Sequence, residues 1–413
     1  MNGIGVVISG VVAFTLIVLA LVAVILVAKA ILIPSGKVKI EINGDESKTL
    51  YVNAGGKLLN TLAACNIFVP SACGSGGTCG QCKVRVLSGG GDILPIESAQ
   101  MTRKEIRSGV RFACQTPVKQ DMKIEIPSEI FDVKKWECTV RSNEFVATFI
   151  KELVLELPEG EEMTFEAGGY VQAERPVGLR IAYKDYDVPE KYRPAWDKLE
   201  LWDYVSEVNE PEARAYSMAS HPLEKGVIKL IIRVAVPPRD NPDVEPGMVS
   251  SYLFNLKPGD KVTVSGPYGD FFVRDTPNEK IYLGRGAGMA PLRSHVYDML
   301  KRLGHTGKIS FWYSARSLDD VFYVEDFRKL EEEYPNFKFH LSLYRDPRPG
   351  DDWTGPVGAI DEVLYEEYLK DHKAPEDCEY FMCGPLKMTN AVLNLLSDLG
   401  VERESIFFDD FGN

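Results

Sequence analysis

The run SACGSGGTCGQC, residues 71 to 82, decides how the rest of the chain is read. It places Cys73, Cys79 and Cys82 on a loop punctuated by Gly74, Gly76, Gly77 and Gly80. Thiolates at that density act as metal ligands, and glycines let a loop wrap a small inorganic core with its N–H groups turned inward. Cys114, after a gap of 31 residues, completes the set. Plant-type [2Fe–2S] loops have four residues between the first two cysteines and two before the third. Here those gaps are five and two. The rival is a structural zinc site, but zinc sites usually pair two short C-x-x-C knuckles, and here only Cys79 and Cys82 make one. The pattern favours a [2Fe–2S] centre and leaves zinc as the second reading.

Upstream of that loop, residues 4–28 carry no charged side chain. As a helix they would span roughly 37 Å at ~1.5 Å each, enough for a hydrocarbon core of ~30 Å. A cleaved signal peptide would need a basic start and a shorter apolar stretch. Lys29, Lys37 and Lys39 come just after the run, and the positive-inside rule then puts the C-terminal side in the cytoplasm. The expectation is a transmembrane helix within residues 1–33, hence a single-pass protein of the bacterial inner membrane with its C-terminal domains facing the cytoplasm. The eight cysteines show no dense disulfide pattern. A net charge of −13 argues against nucleic acid as a partner. His221, His295, His305, His340 and His372 are scattered without ligand spacing, so each reads as structural or exposed.

Downstream, 413 residues are too many for one compact core. The expected fold class is multidomain, α+β and α/β, with three domains after the N-terminal helix. Residues 34–130 read as a small β-grasp [2Fe–2S] ferredoxin-like domain. It has a hairpin about Asn43-Gly44, a short helix from GGKLLNTLAACN, the cysteine loop, and further strands. Cys65 falls on the apolar face of that helix and reads as a small hydrophobe. Residues 131–275 read as an antiparallel β-barrel, its strands punctuated by glycine and proline. A charged, aromatic stretch from about 179 to 212 interrupts them and reads as a surface insertion, partly helical around 196–208. Residues 276–413 alternate strands with helices, which implies an open parallel α/β sheet. In such sheets a glycine-rich β–α turn and the adjoining helix N-terminus receive pyrophosphate. Gly284, Gly286 and Gly288 are placed for that, though a run of this kind is as often only a tight turn. Cys383-Gly384-Pro385 comes after a late strand and is weak by itself. Cys138 and Cys378 show no ligand pattern and read as structural.

These motifs together resemble one family, the F subunits of sodium-translocating NADH:quinone oxidoreductases, over essentially the whole chain. Its iron–sulfur loop also has five residues between the first two cysteines, matching Cys73, Cys79, Cys82 and Cys114. The resemblance implies FAD contacts at Arg214, Tyr216 and Ser217 in RAYSMAS, and diphosphate contacts at Gly247 and Ser250 in PGMVSSYL. It implies nicotinamide contacts along GAGMAP, with Gly286 and Gly288, and at Cys383 and Gly384, with Cys383 near the nicotinamide. Phe411, in the tail DDFGN, would cover the flavin ring. No residue is assigned with certainty to a catalytic role. One departure is Arg285, where the family usually has glycine.

The implied cofactors are FAD and a [2Fe–2S] cluster, with NADH as substrate. The implied activity is NADH dehydrogenase, the electron input of a sodium-pumping NADH:quinone reductase. The implied partners are the other membrane subunits of a hetero-hexamer, with quinone reached only through them. An apolar helix without an ionisable residue offers no ion path, so sodium movement falls to the partners. A free-standing, membrane-anchored reductase feeding another acceptor enzyme would use the same domains and is the alternative.

Overall fold

A computed structural model of the chain describes residues 3–32, 36–71, 73–238, 241 and 244–409. It begins with helix α1 (Gly3–Leu32). Among the described residues, no helix is long and apolar enough to cross a membrane. This corrects the expected transmembrane helix and, with it, the single-pass inner-membrane location.

The chain packs as two compact bodies, Met1–Ser71 with Ser75–Asp132, and Ala72–Gly74 with Val133–Asn413. The first is a mixed five-stranded sheet. β1 (Lys37–Ile42) and β2 (Asp45–Asn53) form the hairpin. Asn43 (φ 56°) and Gly44 (φ 67°) at its turn are both left-handed, as a two-residue turn matched to strand twist requires. Helix α2 (Leu58–Ala64) buries Leu58, Leu59 and Leu62. Cys65 is its C-cap and half-exposed, not a core residue. β3 (Lys83–Ser88), the short helices α3 (Pro95–Ser98) and α4 (Arg103–Arg107), β4 (Val110–Phe112) and β5 (Met122–Glu125) complete this body. The strand order is β2-β1-β5-β3-β4, and β1 and β5 run parallel. Arg111 and Glu97, both buried, pair at 2.8 Å. Arg111 also donates to the carbonyls of Gly90, Gly91 and Asp92, so the segment after β3 is tied to the strand that precedes Cys114.

The second body opens with a six-stranded antiparallel sheet. Its strands are β6 (Lys134–Ala147), β7 (Ile150–Glu156), β8 (Tyr170–Arg175), β11 (Glu212–Ser217), β12 (Val227–Arg233) and β13 (Lys261–Tyr268), in the order β11-β8-β13-β6-β7-β12. A bridge between Met218 and Leu230, together with Ala219 N donating to Lys229 O, joins the two ends of that order and closes the barrel. The stretch 179–212 holds the strand pair β9 (Ile181–Ala182) and β10 (Val205–Ser206) and helix α5 (Arg193–Lys198). It is not a surface insertion. Tyr183, Tyr186, Tyr192, Trp196 and Leu201 are buried in the barrel's own core. Trp196 is fully enclosed and donates to Thr148 O at 2.9 Å. Charged residues hide this in the sequence because their heads stay in water while the neighbouring aromatic bodies turn inward. Helix α6 (Met248–Asn255) packs beside β8 and β12.

The remainder of this body is a parallel sheet ordered β16-β15-β14-β17-β18. It comprises β14 (Lys280–Gly284), α7 (Met289–Lys301), β15 (Ile309–Ala315), α8 (Val324–Glu333), β16 (Phe337–Leu343), α9 (Ile360–Glu367), β17 (Glu379–Cys383), α10 (Leu386–Asp398) and β18 (Ile406–Asp409). Strands β14, β15 and β17 are buried along their whole length, as expected of a parallel sheet covered on both faces.

Candidate functional site

The cysteine loop runs through left-handed backbone at Gly74, Ser75, Gly77 and Gly80. A chain that turns this way repeatedly directs successive N–H groups inward and forms an anion-receptive concavity. Cys82 and Cys114 are buried, while Cys73 and Cys79 are half-buried. Register pairs Lys83 with Phe112, and Ala113 N donates to Cys82 O at 2.8 Å. That sets Cys82 beside the turn bearing Cys114. A hydrogen bond to Cys114, then burial and the neighbouring Cys114 and Cys79 sulfurs, hold the Cys82 thiol far above its usual range. Sulfurs that burden one another in this way suit a cationic iron core, which takes the place of their protons. Gln115 Nε2 lies 3.4 Å from Cys114 Sγ and donates to Ser75 O at 3.0 Å, and Gln100 Nε2 donates to Gly77 O at 2.7 Å. These amides brace the loop from outside, and no motif in the sequence singles them out.

In the second body Arg214, Tyr216 and Ser217 lie at the end of β11. Arg214 is about a quarter exposed, and its Nη1 donates to Glu212 Oε2 at 2.7 Å and to Ala213 O at 2.8 Å. A guanidinium offers five N–H donors in a fixed fork, so this carboxylate leaves capacity for a phosphate. Burial holds the Tyr216 phenol above its ordinary range, opposed by nearby Arg214. Ser217 Oγ donates to Asp409 Oδ2 at 2.8 Å. Gly247 caps α6, and a Cβ there would fall 2.3 Å from Ser250 Oγ and 2.6 Å from Ala235 Cβ. Ser250 Oγ accepts from Ala235 N at 3.2 Å. The start of α6 is also held by fully buried Arg175, which donates to Met248 O (2.6 Å), Leu179 O (2.8 Å) and both oxygens of Ser206.

The glycine loop after β14 packs directly on the end of β17. A Cβ on Gly288 would lie 1.9 Å from Cys383 O and 3.0 Å from Gly384 N, so nothing larger fits. Gly286 is left-handed at φ 58°. Arg285 is extended, with φ −149° and ψ 134°, so a side chain costs nothing at that backbone position. Its guanidinium rests over the Tyr344 ring at 4.1 Å. Arginine there neither crowds the turn nor forces it open. Cys383 is fully buried, and the register of β17 and β18 sets it opposite Asp409.

Asp409 is therefore the meeting point: it accepts from Ser217 on the barrel and pairs in register with Cys383 in the sheet. The structure brings together Ser217, Cys383, Gly384, Gly286 and Gly288, with Arg214 and Tyr216 on the same strand as Ser217. Gly247 and Ser250 lie at the start of α6, a helix that also packs against β11. Phe411 lies outside the described residues. Asp409 is not legible as a site residue in the sequence because β18 is a short strand without a motif. The acidic pair before Phe411 was the available signal.

Three domain families match the chain: a 2Fe-2S iron-sulfur cluster binding domain over residues 40–119, an oxidoreductase FAD-binding domain over 204–273, and an oxidoreductase NAD-binding domain over 283–394. The chain is 60% identical over 399 residues to the F subunit of the Na(+)-translocating NADH-quinone reductase of Pseudomonas paraeruginosa, covering 97% of each. It is 58% identical over 405 residues to the protein of the same name from Actinobacillus succinogenes, covering 98% of each. Among solved structures, a cytochrome P450 reductase from Amycolatopsis superposes with a TM-score of 0.62 at 22% identity, over 91% of this chain and 98% of that one. The ferredoxin reductase of a carbazole 1,9a-dioxygenase gives 0.60 at 20%, over 91% and 99%. At those identities the likeness concerns the fold alone.

Proposed function

The chain belongs to the family of Na(+)-translocating NADH-quinone reductase F subunits, and from that premise we propose that it is the electron-input subunit of such an enzyme. It oxidises NADH and passes the electrons on singly, by way of FAD and a [2Fe–2S] centre, to membrane partner subunits. Bound FAD supplies the exchange between two-electron hydride chemistry and the one-electron chemistry of an iron–sulfur centre. We take the assembly to be a hetero-hexamer in which the partners reduce quinone and move sodium.

The observation that carries this reading is the convergence at Asp409. A residue of the proposed flavin motif, Ser217, and one of the proposed nicotinamide motif, Cys383, share one neighbour. Arg214 would bind a diphosphate through the donors Glu212 leaves free. Tyr216 would present its ring beside the flavin. Ser217 would offer or receive a hydrogen bond there, its hydroxyl oriented by Asp409. Gly286 and Gly288 allow the nucleotide's phosphates to approach the N-terminus of α7, whose first turn carries no acidic residue. Cys73, Cys79, Cys82 and Cys114 would hold the iron.

The test is reconstitution. Membranes holding the partner subunits but lacking this one should recover NADH-dependent quinone reduction when the full chain, loaded with FAD and iron, is restored. A loaded chain that reduces an artificial acceptor with NADH yet leaves quinone reduction absent would overturn the assignment.

A further inference from the structure

Three side chains of different chemistry meet at the end of the parallel sheet opposite the glycine loop. β14 and β17 pair with Lys280 opposite Glu379, and Glu379 N donates to Glu279 O at 2.8 Å. Glu279 and Cys378, the residues just before the two strands, are thereby brought side by side. His372, just after the turn Leu369–Asp371, completes the group. Its Nε2 lies 3.3 Å from Glu279 Oε2 and 3.9 Å from Cys378 Sγ, and all three donor atoms fall within 4.8 Å of one another. Cys378 is buried, while Glu279 and His372 are each under a fifth exposed.

We propose that Glu279, His372 and Cys378 form a binding site for a zinc-class divalent cation, which clamps the starts of β14 and β17. The donor set is the first reason. One thiolate, one imidazole and one carboxylate suit zinc, whereas calcium and magnesium want oxygen throughout. Spacing is the second. Tetrahedral zinc with ordinary bond lengths puts nitrogen and oxygen roughly 3.4 Å apart, and sulfur and nitrogen roughly 3.6 Å apart. The observed 3.3 and 3.9 Å need only small closure. The third reason is the shell behind the ligands. Tyr368 OH donates to Glu279 Oε1, and Lys308 Nζ stands 3.5 Å from the same oxygen. Oε1 is thus occupied from outside while Oε2 faces the other two donors. These outer contacts orient a metal ligand. Without metal, His372 Nδ1 accepts from Ala374 N at 3.3 Å.

Three protein ligands leave a fourth position for water. Loading releases the Cys378 thiol proton to solvent and moves the ring hydrogen from Nε2 to Nδ1, where it displaces the Ala374 contact. Because the thiolate is the ligand, uptake falls as pH falls. The site is about 16 Å of strand from the glycine loop, counting five residues at ~3.3 Å. A cation there stiffens β14, which leads into the turn with Gly286, and β17, which carries Cys383, without touching nucleotide. This gives a new role to His372, which the sequence reads as structural or exposed, and to Cys378, which it reads as structural.

Full-length holoprotein with cluster and FAD in place is dialysed against zinc chloride and then against metal-free buffer, and zinc, iron and FAD are measured. Wild type should retain about one zinc beyond what Cys378→Ser and His372→Gln hold, with iron and FAD equal in all. Zinc should also raise the thermal midpoint of wild type and leave both variants unmoved. Should Cys378→Ser not fold, as judged by flavin absorption, Glu279→Gln keeps the shape and makes the same comparison. No zinc retained by wild type, or equal zinc in wild type and folded variants, overturns the proposal. Because iron and FAD are read separately, that failure is distinct from failure of the electron-transfer assignment.

Discussion

Arg214 sits with one edge on Glu212 and the rest of its fork partly exposed, an arrangement that keeps it aimed before any ligand arrives. Charge-assisted hydrogen bonds contribute about 1.5–3 kcal/mol. Arg214→Ala should therefore weaken FAD binding by roughly ten- to a hundredfold. Flavin titration of the desalted variant reads this directly, and iron content should not change. His295 makes a second prediction. It is fully buried, its Nε2 lies 2.8 Å from Phe271 O, and burial pushes it down to about 4. The folded value is lower than the unfolded one near 6.5. Its stabilisation is therefore complete above pH 6.5 and is lost as pH falls toward 4. At pH 5 the loss is about 2 kcal/mol. Urea unfolding of His295→Gln at pH 7.5 and pH 5 should show a shallower pH dependence than wild type. An equal slope would show that this imidazole does not titrate as its burial demands.

At the scale of elements, the loop after β14 and the end of β17 behave as one unit. Gly288→Ala places a Cβ 1.9 Å from a backbone carbonyl, which cannot swing aside as a side chain would. The loop must shift, at a cost of about 1–3 kcal/mol. Stopped-flow mixing should show slower flavin reduction and a raised KM for NADH, with FAD and iron retained. The stretch 179–212 gives the opposite kind of case. Trp196→Ala should cost about 3–5 kcal/mol, measured as a lower urea midpoint for the second body. A surface insertion would lose almost nothing. The strand-and-helix alternation from 280 onward was legible because each element has its own period and its own glycine stop. The burial of Trp196 was not, because its partners Phe149 and Phe254 are far away in sequence.

At the scale of the whole molecule, Cys79, Cys82 and Cys114 belong to the first body and the proposed flavin residues to the second, each body with its own core. Cys79→Ala should abolish the low-temperature EPR signal of the reduced cluster while FAD stays bound. NADH should still reduce the flavin at close to the wild-type rate. A full cluster signal in the variant would remove Cys79 from the ligand set.

The sequence alone determined what is local or covalent: the cysteine spacing, the Asn43-Gly44 turn, the strand–glycine–helix order and the motif positions. These depend on backbone sterics and on periods of two and 3.6 residues, which neighbours in the chain settle between themselves. Only the tertiary structure decided that Arg285 is harmless, since its backbone is extended and its guanidinium lies over Tyr344, a residue just after β16 and far along the chain. It alone joined Ser217 to Asp409. It alone set Glu279, His372 and Cys378 within reach of one another. Such meetings arise from the register between strands distant in sequence, and register is fixed by burying a shared core rather than by any short run of residues.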